Sequence, residues 1–150
     1  MIFFLVVTLG VAAASAFFTN NSMEKYKNYN KPILSPPDWL FPIVWSILFI
    51  LMAISAYIIY TSDATKKEKT DALFLYFLQL VINFFWTIIF FSLNQRLLGF
   101  LWIILLWVVV IFMIITFYKI KPIAAYLNIP YLLWLSFAAY LNLGIYVLNR

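Results

Sequence analysis

The chain has 150 residues, of which 67% are apolar, 21% aromatic and only 10% charged. An ordinary soluble domain carries roughly 25% charged residues, so the composition excludes such a domain and makes lipid the main solvent. The net charge of +5 does not indicate nucleic acid, because the basic residues form short clusters beside apolar runs and no basic groove or nucleic-acid motif is present. We expect membrane lipid as the partner of these clusters.

The first apolar run, residues 2–18, is uncharged and long enough for one membrane span. Residues 14–16, Ala-Ser-Ala, also resemble the cleavage site of a signal peptide, which is the alternative interpretation. The run lacks a basic start and stays apolar through Phe17 and Phe18, and this favours the span. Residues 19–38 are polar, rich in Asn and Lys, and contain a Pro-Pro pair, so they predict the longest loop.

The second predicted span covers residues 39–60, with Asp38 as its cap and Pro42 in its first turn, where a missing N–H does least harm. Residues 62–71 are highly charged and predict a turn. The third predicted span follows at residues 72–93.

The fourth predicted span, residues 97–118, follows a connection so short that it must pack antiparallel beside the third. Pro122 lies just past its end and cannot continue it. Asn128, followed by a proline, predicts the cap of the fifth span, residues 130–148.

These spans predict an all-α integral membrane protein, a single five-helix transmembrane domain over residues 1–150. The positive-inside rule would assign the orientation from Lys and Arg in the loops. The ten basic residues divide five to each side, so the sequence leaves the orientation open. It leaves the identity of the membrane open as well.

The chemistry available inside the predicted bundle is restricted. All five acidic residues fall in loops or at helix entrances, whereas ion-coupled transporters usually place a carboxylate within the membrane. The chain contains no Cys and no His, which excludes disulfides, zinc sites, His-dependent catalysis and a haem held by either residue. We therefore expect neither a metal nor a cofactor.

Polar side chains within the third span share one helix face. Gln79, Asn83 and Trp86 are spaced i, i+4, i+7, so this face should point into the bundle. Amides on such a face can bridge helices or contact a ligand. The spacing alone favours bridging, and both interpretations stay open at this point.

Aromatic residues form a second pattern. Trp45, Phe49 and Met52 share a face of the second span, and Trp134 with Ala138 share a face of the fifth. Both Trp residues lie deeper along their helices than an interfacial belt explains. Flat indoles beside a small residue predict a cavity that fits a planar apolar ligand.

Three sequence blocks carry a resemblance to a known family. They are KPILSPPDWLFPIVW at residues 31–45, preceded by Tyr26, then LYFLQLVINFFWTIIFF at 75–91 and PYLLWLSFAAYLN at 130–142. In this order and spacing the chain resembles the translocator protein family, also called the tryptophan-rich sensory or peripheral benzodiazepine receptor family, over about residues 26–149. The resemblance implies a five-helix bundle, often dimeric, that binds porphyrins, cholesterol-like lipids and synthetic aromatic drugs in a pocket closed by the first loop.

Carried over by position, the resemblance implies that the lid loop is residues 19–38. It implies that the ligand-binding residues are Tyr26, Trp39, Trp45, Asn83, Trp86, Trp134 and Ala138. Some bacterial relatives promote light- and oxygen-dependent porphyrin breakdown. If that activity is present, Trp45 and Trp134 match the positions tied to it.

A homodimer is a further expectation. The third span lacks the small-residue stripe that some relatives use for dimer contacts. In the first span, Gly10 with Ala14 and Ala12 with Ala16 are i, i+4 pairs that let helix backbones approach closely. These pairs predict either a dimer surface or close packing within one subunit.

Overall fold

The computed structural model describes residues 2–19, 40–89 and 96–149, and within these ranges the chain is helical apart from short turns. The helices are α1 (Ile2–Thr19), α2 (Leu40–Tyr60), α3 (Lys66–Thr87), α4 (Arg96–Ile120), α5 (Pro122–Tyr126) and α6 (Ile129–Asn149). The predicted all-α membrane fold is confirmed. Among the described residues three stretches are long and apolar enough to cross a bilayer, Ile43–Tyr60, Leu97–Ile120 and Pro122–Leu148. The count of five spans stays a prediction.

The helices pack as a bundle whose closest neighbours are α3 with α4, α4 with α6, and α1 with α2. Fully buried small residues, Ala53 and Ala56 of α2 and Ala72 of α3, suit close helix contacts in lipid. In the part of the chain that the structure describes, α2 and α6 are not among the closely packed pairs. Large aromatic side chains join these two helices instead, and the candidate site lies there.

Helix α3 begins at Lys66, earlier than the predicted residue 72, because a capping box starts it. The Thr65 hydroxyl accepts a hydrogen bond from the Glu68 backbone N–H at 3.1 Å, and the Thr65 N–H donates to the Glu68 carboxylate at 3.4 Å. These bonds satisfy backbone donors that a helix start leaves free. The charged segment is therefore the first turn of a helix and only partly a connection.

The predicted fifth span, residues 130–148, coincides with helix α6 within one residue at each end, and the short helix α5, which the sequence did not predict, precedes it. Pro122 opens α5 at its N-terminus, where proline is tolerated. Asn128 stands at the predicted cap position, and its carbonyl accepts from the Leu132 N–H at 3.1 Å. Its side chain does not cap α6, because the amide nitrogen donates to Ser55 Oγ on α2 at 2.9 Å and to the Ala124 carbonyl at 3.0 Å. Asn128 is fully buried and ties the break between α5 and α6 to α2.

Gly10 lies on the outside of the described bundle. A Cβ at this position would meet no neighbouring atom within 4 Å, so Gly10 is not needed for close packing against the other described helices. Whether α1 forms a dimer surface stays a prediction. The lid loop, the Asp38 cap, Tyr26 and Trp39 lie outside the described residues, as does the predicted end of the third span.

Candidate functional site

Trp45 of α2 is the centre of a group of rings contributed by three helices. Its ring centroid lies 6.1 Å from that of Trp86 on α3, and 6.2 Å from those of Tyr131 and Trp134 on α6. Phe49, one turn further along α2, stacks on Trp45 at 5.7 Å. We refer to Trp45, Phe49, Trp86, Tyr131 and Trp134 as the aromatic cluster.

Helical spacing places these side chains together. Trp45 and Phe49 are i, i+4 on α2, and Tyr131 and Trp134 are i, i+3 in the first turns of α6, so each pair projects from one face. Trp86 reaches the cluster from the last turn of α3. Phe49, Trp86 and Tyr131 are buried, whereas Trp45 and Trp134 are half-buried. The cluster is therefore partly accessible from outside the bundle.

A chain of hydrogen bonds holds Tyr131 from the α3 side. The Asn83 amide nitrogen donates to the Tyr131 hydroxyl at 2.9 Å, and that hydroxyl donates to Gln79 Oε1 at 2.7 Å. Gln79 Nε2 in turn lies 3.6 Å from the Met52 sulfur on α2. All four side chains are nearly or fully buried. The polar face of α3 thus bridges helices, as the spacing favoured.

A second set of polar contacts holds Trp86. Its indole N–H donates to Asn142 Oδ1 at 3.4 Å, and the Asn142 amide nitrogen donates to the Ala138 carbonyl at 2.6 Å. The Trp86 N–H and both ends of the Asn142 amide are thereby satisfied inside the bundle, where no water can replace a missing partner. These bonds fix the ring of Trp86 beside Trp45.

A groove of about 560 Å³ lies between α2 and α6, on the outer side of the aromatic cluster. Its lining is Val44, Ile47, Leu48, Pro130, Leu133, Trp134 and Phe137. Ile47 is 55% and Leu133 65% exposed, so the groove opens toward the lipid. Its volume falls in the range of roughly 300–1,000 Å³ that holds small ligands.

Of the predicted ligand-binding residues, Trp45, Trp86 and Trp134 come together directly. Asn83 reaches the cluster through its bond to Tyr131, and Ala138 through Asn142. Asn83 is committed to Tyr131, so its predicted part in orienting a ligand is shared with that hydroxyl. Ligand binding by all of these residues stays a prediction, as it does for Tyr26 and Trp39.

Sequence reasoning missed Tyr131 and Asn142 as parts of the site. Tyr131 is 1% exposed, yet a tyrosine next to a proline at a predicted helix start resembles an interfacial residue. The available signal was the third sequence block, in which both residues share the helix with Trp134. An amide within an apolar helix requires a partner, and Asn142 finds it in Trp86.

The aromatic cluster offers flat, polarisable surfaces and the Tyr131 hydroxyl, with no charged side chain among its members, and the amides of Asn83 and Asn142 bond to it. Within the described ranges, no group of three or more His, Cys, Asp or Glu residues could hold a metal ion. Such a set can bind an apolar aromatic molecule by stacking and hydrogen bonding.

Comparison with known proteins identifies related chains over almost the whole sequence. The TspO/MBR family matches residues 3–148. The tryptophan-rich protein TspO of Archaeoglobus fulgidus is 37% identical over 146 residues, covering 97% of this chain and 94% of that protein. The translocator protein of Homo sapiens is 31% identical over 141 residues, covering 93% of this chain and 83% of that protein. The tryptophan-rich sensory protein of Cereibacter sphaeroides is 32% identical over 143 residues, covering 93% of this chain and 88% of that protein.

Proposed function

Because the chain belongs to the TspO/MBR family, we propose that it is a multi-pass membrane receptor or sensor for planar hydrophobic ligands. The ligand class comprises tetrapyrroles such as protoporphyrin IX, cholesterol-like lipids and benzodiazepine-type aromatic drugs. The ligand binds within the membrane at the aromatic cluster, and its release to either side would make the same site serve transport.

One observation carries this proposal: the rings of Trp45, Trp86 and Trp134 come from three different helices and meet at 6.1 and 6.2 Å. A planar ligand gains most from flat apolar surfaces that already have a fixed orientation. A hydrogen bond to Asn142 fixes the Trp86 indole, and the contact with that ring holds Trp45 in place before a ligand arrives.

The names of the relatives support the same class of function. Relatives called translocator protein and tryptophan-rich sensory protein align with 93% of this chain. Membership of the same family favours a shared mode of binding, although fold alone does not decide the natural ligand.

The direct test is a titration of the protein in nanodiscs with protoporphyrin IX, followed by quenching of tryptophan fluorescence. Ala138 is 6% exposed and lies next to Asn142 in the bond network, so Ala138→Phe should occupy space that the ligand needs. Ala139→Phe, on the neighbouring face of the same helix, is the matched control. We expect Ala138→Phe to weaken binding and Ala139→Phe to leave it unchanged. Thermal melting shows whether both variants are folded.

A second function, light-driven porphyrin breakdown, is favoured by the contact between two oxidisable indoles, Trp45 and Trp134. A porphyrin beside them could act as photosensitiser without any acid, base or metal of the protein. Incubation with protoporphyrin IX in light and air, beside a matched sample in the dark under nitrogen, distinguishes the functions. Porphyrin loss in the lit sample that is slowed by Trp45→Phe and Trp134→Phe would indicate breakdown by the protein, and loss in the dark sample would indicate an enzyme that needs no light. Binding without loss in either sample is expected of a receptor.

A further inference from the structure

Trp134 belongs to the aromatic cluster and to the lipid-facing groove at once. One contact of its indole is edge-on to Trp45 at 6.2 Å, and another is stacked on Phe137 at 5.8 Å. Phe137 lines the groove together with Trp134. Two adjacent residues of α2 show the same arrangement: Val44 lines the groove, and Trp45 belongs to the cluster. The half-buried Trp134 indole therefore separates the cluster from the groove.

We propose that the groove between α2 and α6 is the entrance through which a planar hydrophobic ligand dissolved in the bilayer reaches the aromatic cluster, with the Trp134 side chain as its gate. This inference rests on the proposed function and adds the route by which the ligand arrives. The ligand moves laterally from lipid, and the Trp134 ring must turn away from Trp45 to admit it.

The chemistry of the groove selects this occupant. Its seven lining residues are all apolar or aromatic, so it accepts the flat apolar face of a ligand, while charged substituents such as the two propionates of a porphyrin stay outside it, at the membrane surface. Its rim residues Ile47 and Leu133 are exposed on the face that lipid covers. The weak backbone contact between α2 and α6 leaves side chains as the barrier, and side chains reorient far faster than packed helices move.

Reversible blocking of the groove tests the route. The chain has no Cys, so Leu133→Cys can be modified specifically with a benzyl methanethiosulfonate and restored with a reductant. Leu101→Cys on α4, 54% exposed where Leu133 is 65% exposed and outside the groove lining, is the matched control. Association and dissociation of protoporphyrin IX are measured in nanodiscs by stopped-flow tryptophan quenching, alongside the equilibrium titration.

Modification at residue 133 is expected to slow association and dissociation alike, by roughly tenfold, because a blocked entrance changes rates in both directions. The equilibrium Kd should stay within about twofold of the unmodified value, and the reductant should restore both rates. Modification at residue 101 should leave the rates unchanged.

Three other outcomes would overturn the entrance. Unchanged rates with intact binding would leave the aromatic cluster as the site and exclude this route. A weakened Kd with faster dissociation would make the groove itself the binding site. Absence of porphyrin binding in the unmodified protein would remove the proposed function, and the entrance with it.

Discussion

The indole of Trp134 on α6 lies edge-on to the indole of Trp45 on α2, with ring centroids 6.2 Å apart and planes at 89°. Edge-to-face pairs of this kind contribute about 0.5–1.5 kcal/mol beyond the area they bury. Among the described helices, α2 and α6 have little backbone contact, so the ring pair is a principal link between them. The proposed ligand would therefore enter where side chains, and not packed backbones, hold the two helices together.

Replacing Trp134 with Ala should weaken protoporphyrin IX binding by about 2 kcal/mol, roughly thirtyfold in Kd, as for other buried aromatic contact residues. Trp107→Ala is the matched control, because Trp107 is also half-buried but donates to Ser136 Oγ at 2.9 Å, away from the cluster. Both variants lose one indole, so the titration should follow the porphyrin absorbance band. Equal weakening by both would show that binding depends only on general bundle stability.

Removing the Tyr131 hydroxyl should lower stability without removing the ring. Tyr131→Phe loses the bonds to Asn83 and Gln79, and interhelical hydrogen bonds in membranes average about 0.6 kcal/mol each. We expect a loss of about 1 kcal/mol in unfolding free energy, measured by thermal or denaturant unfolding in detergent. Tyr118→Phe, at an exposed tyrosine of α4, should unfold like the parent. A Tyr131→Phe protein as stable as the parent would argue against the network.

Loss of the capping box should shorten α3. Thr65→Ala removes the acceptor for the Glu68 N–H and should cost about 1 kcal/mol. Thr70→Ala is the control within the same helix, where the Thr70 hydroxyl only donates to the Lys66 carbonyl; alanine should be neutral or slightly stabilising there, since it has the higher helix propensity. The measurement is the unfolding midpoint of each variant in detergent, compared with that of the parent. Identical shifts would mean that the helix does not depend on its cap.

Five spans require an alternating exposure of the connections. Asp63→Cys and Lys121→Cys should be labelled from one side of sealed vesicles by a membrane-impermeant thiol reagent, and Ser22→Cys from the other. Asp63 is exposed and precedes the capping box, so the substitution leaves Thr65 and Glu68 in place. Labelling of all three from the same side would refute the five-span topology.

Helical periodicity predicted the inward face of α3 correctly. Gln79, Asn83 and Trp86 are 0%, 2% and 5% exposed, because a polar stripe on an apolar helix cannot face lipid. The same reasoning brought Trp45 and Trp134 into one region. Such arguments work because lipid accommodates only apolar side chains, so the polar face of a membrane helix must point into the bundle.

The sequence could not predict which buried side chains bond each other. The spacing of Asn83 does not show that its amide bonds the hydroxyl of Tyr131, 48 positions away, since helix rotation and tilt decide which side chains meet. Asn128 illustrates the reverse case: a residue typical of a helix cap instead bonds Ser55 across the bundle. Local preference was outweighed by burial against α2, where the amide nitrogen of Asn128 finds two acceptors.

The most direct measurement is an experimental structure of the protein in lipid with protoporphyrin IX bound. The expected result is a porphyrin in contact with Trp45, Trp86 and Trp134, with the Trp134 indole turned from its edge-on position against Trp45. A porphyrin bound elsewhere on the bundle, with the aromatic cluster closed and unchanged, would contradict ligand binding at this site.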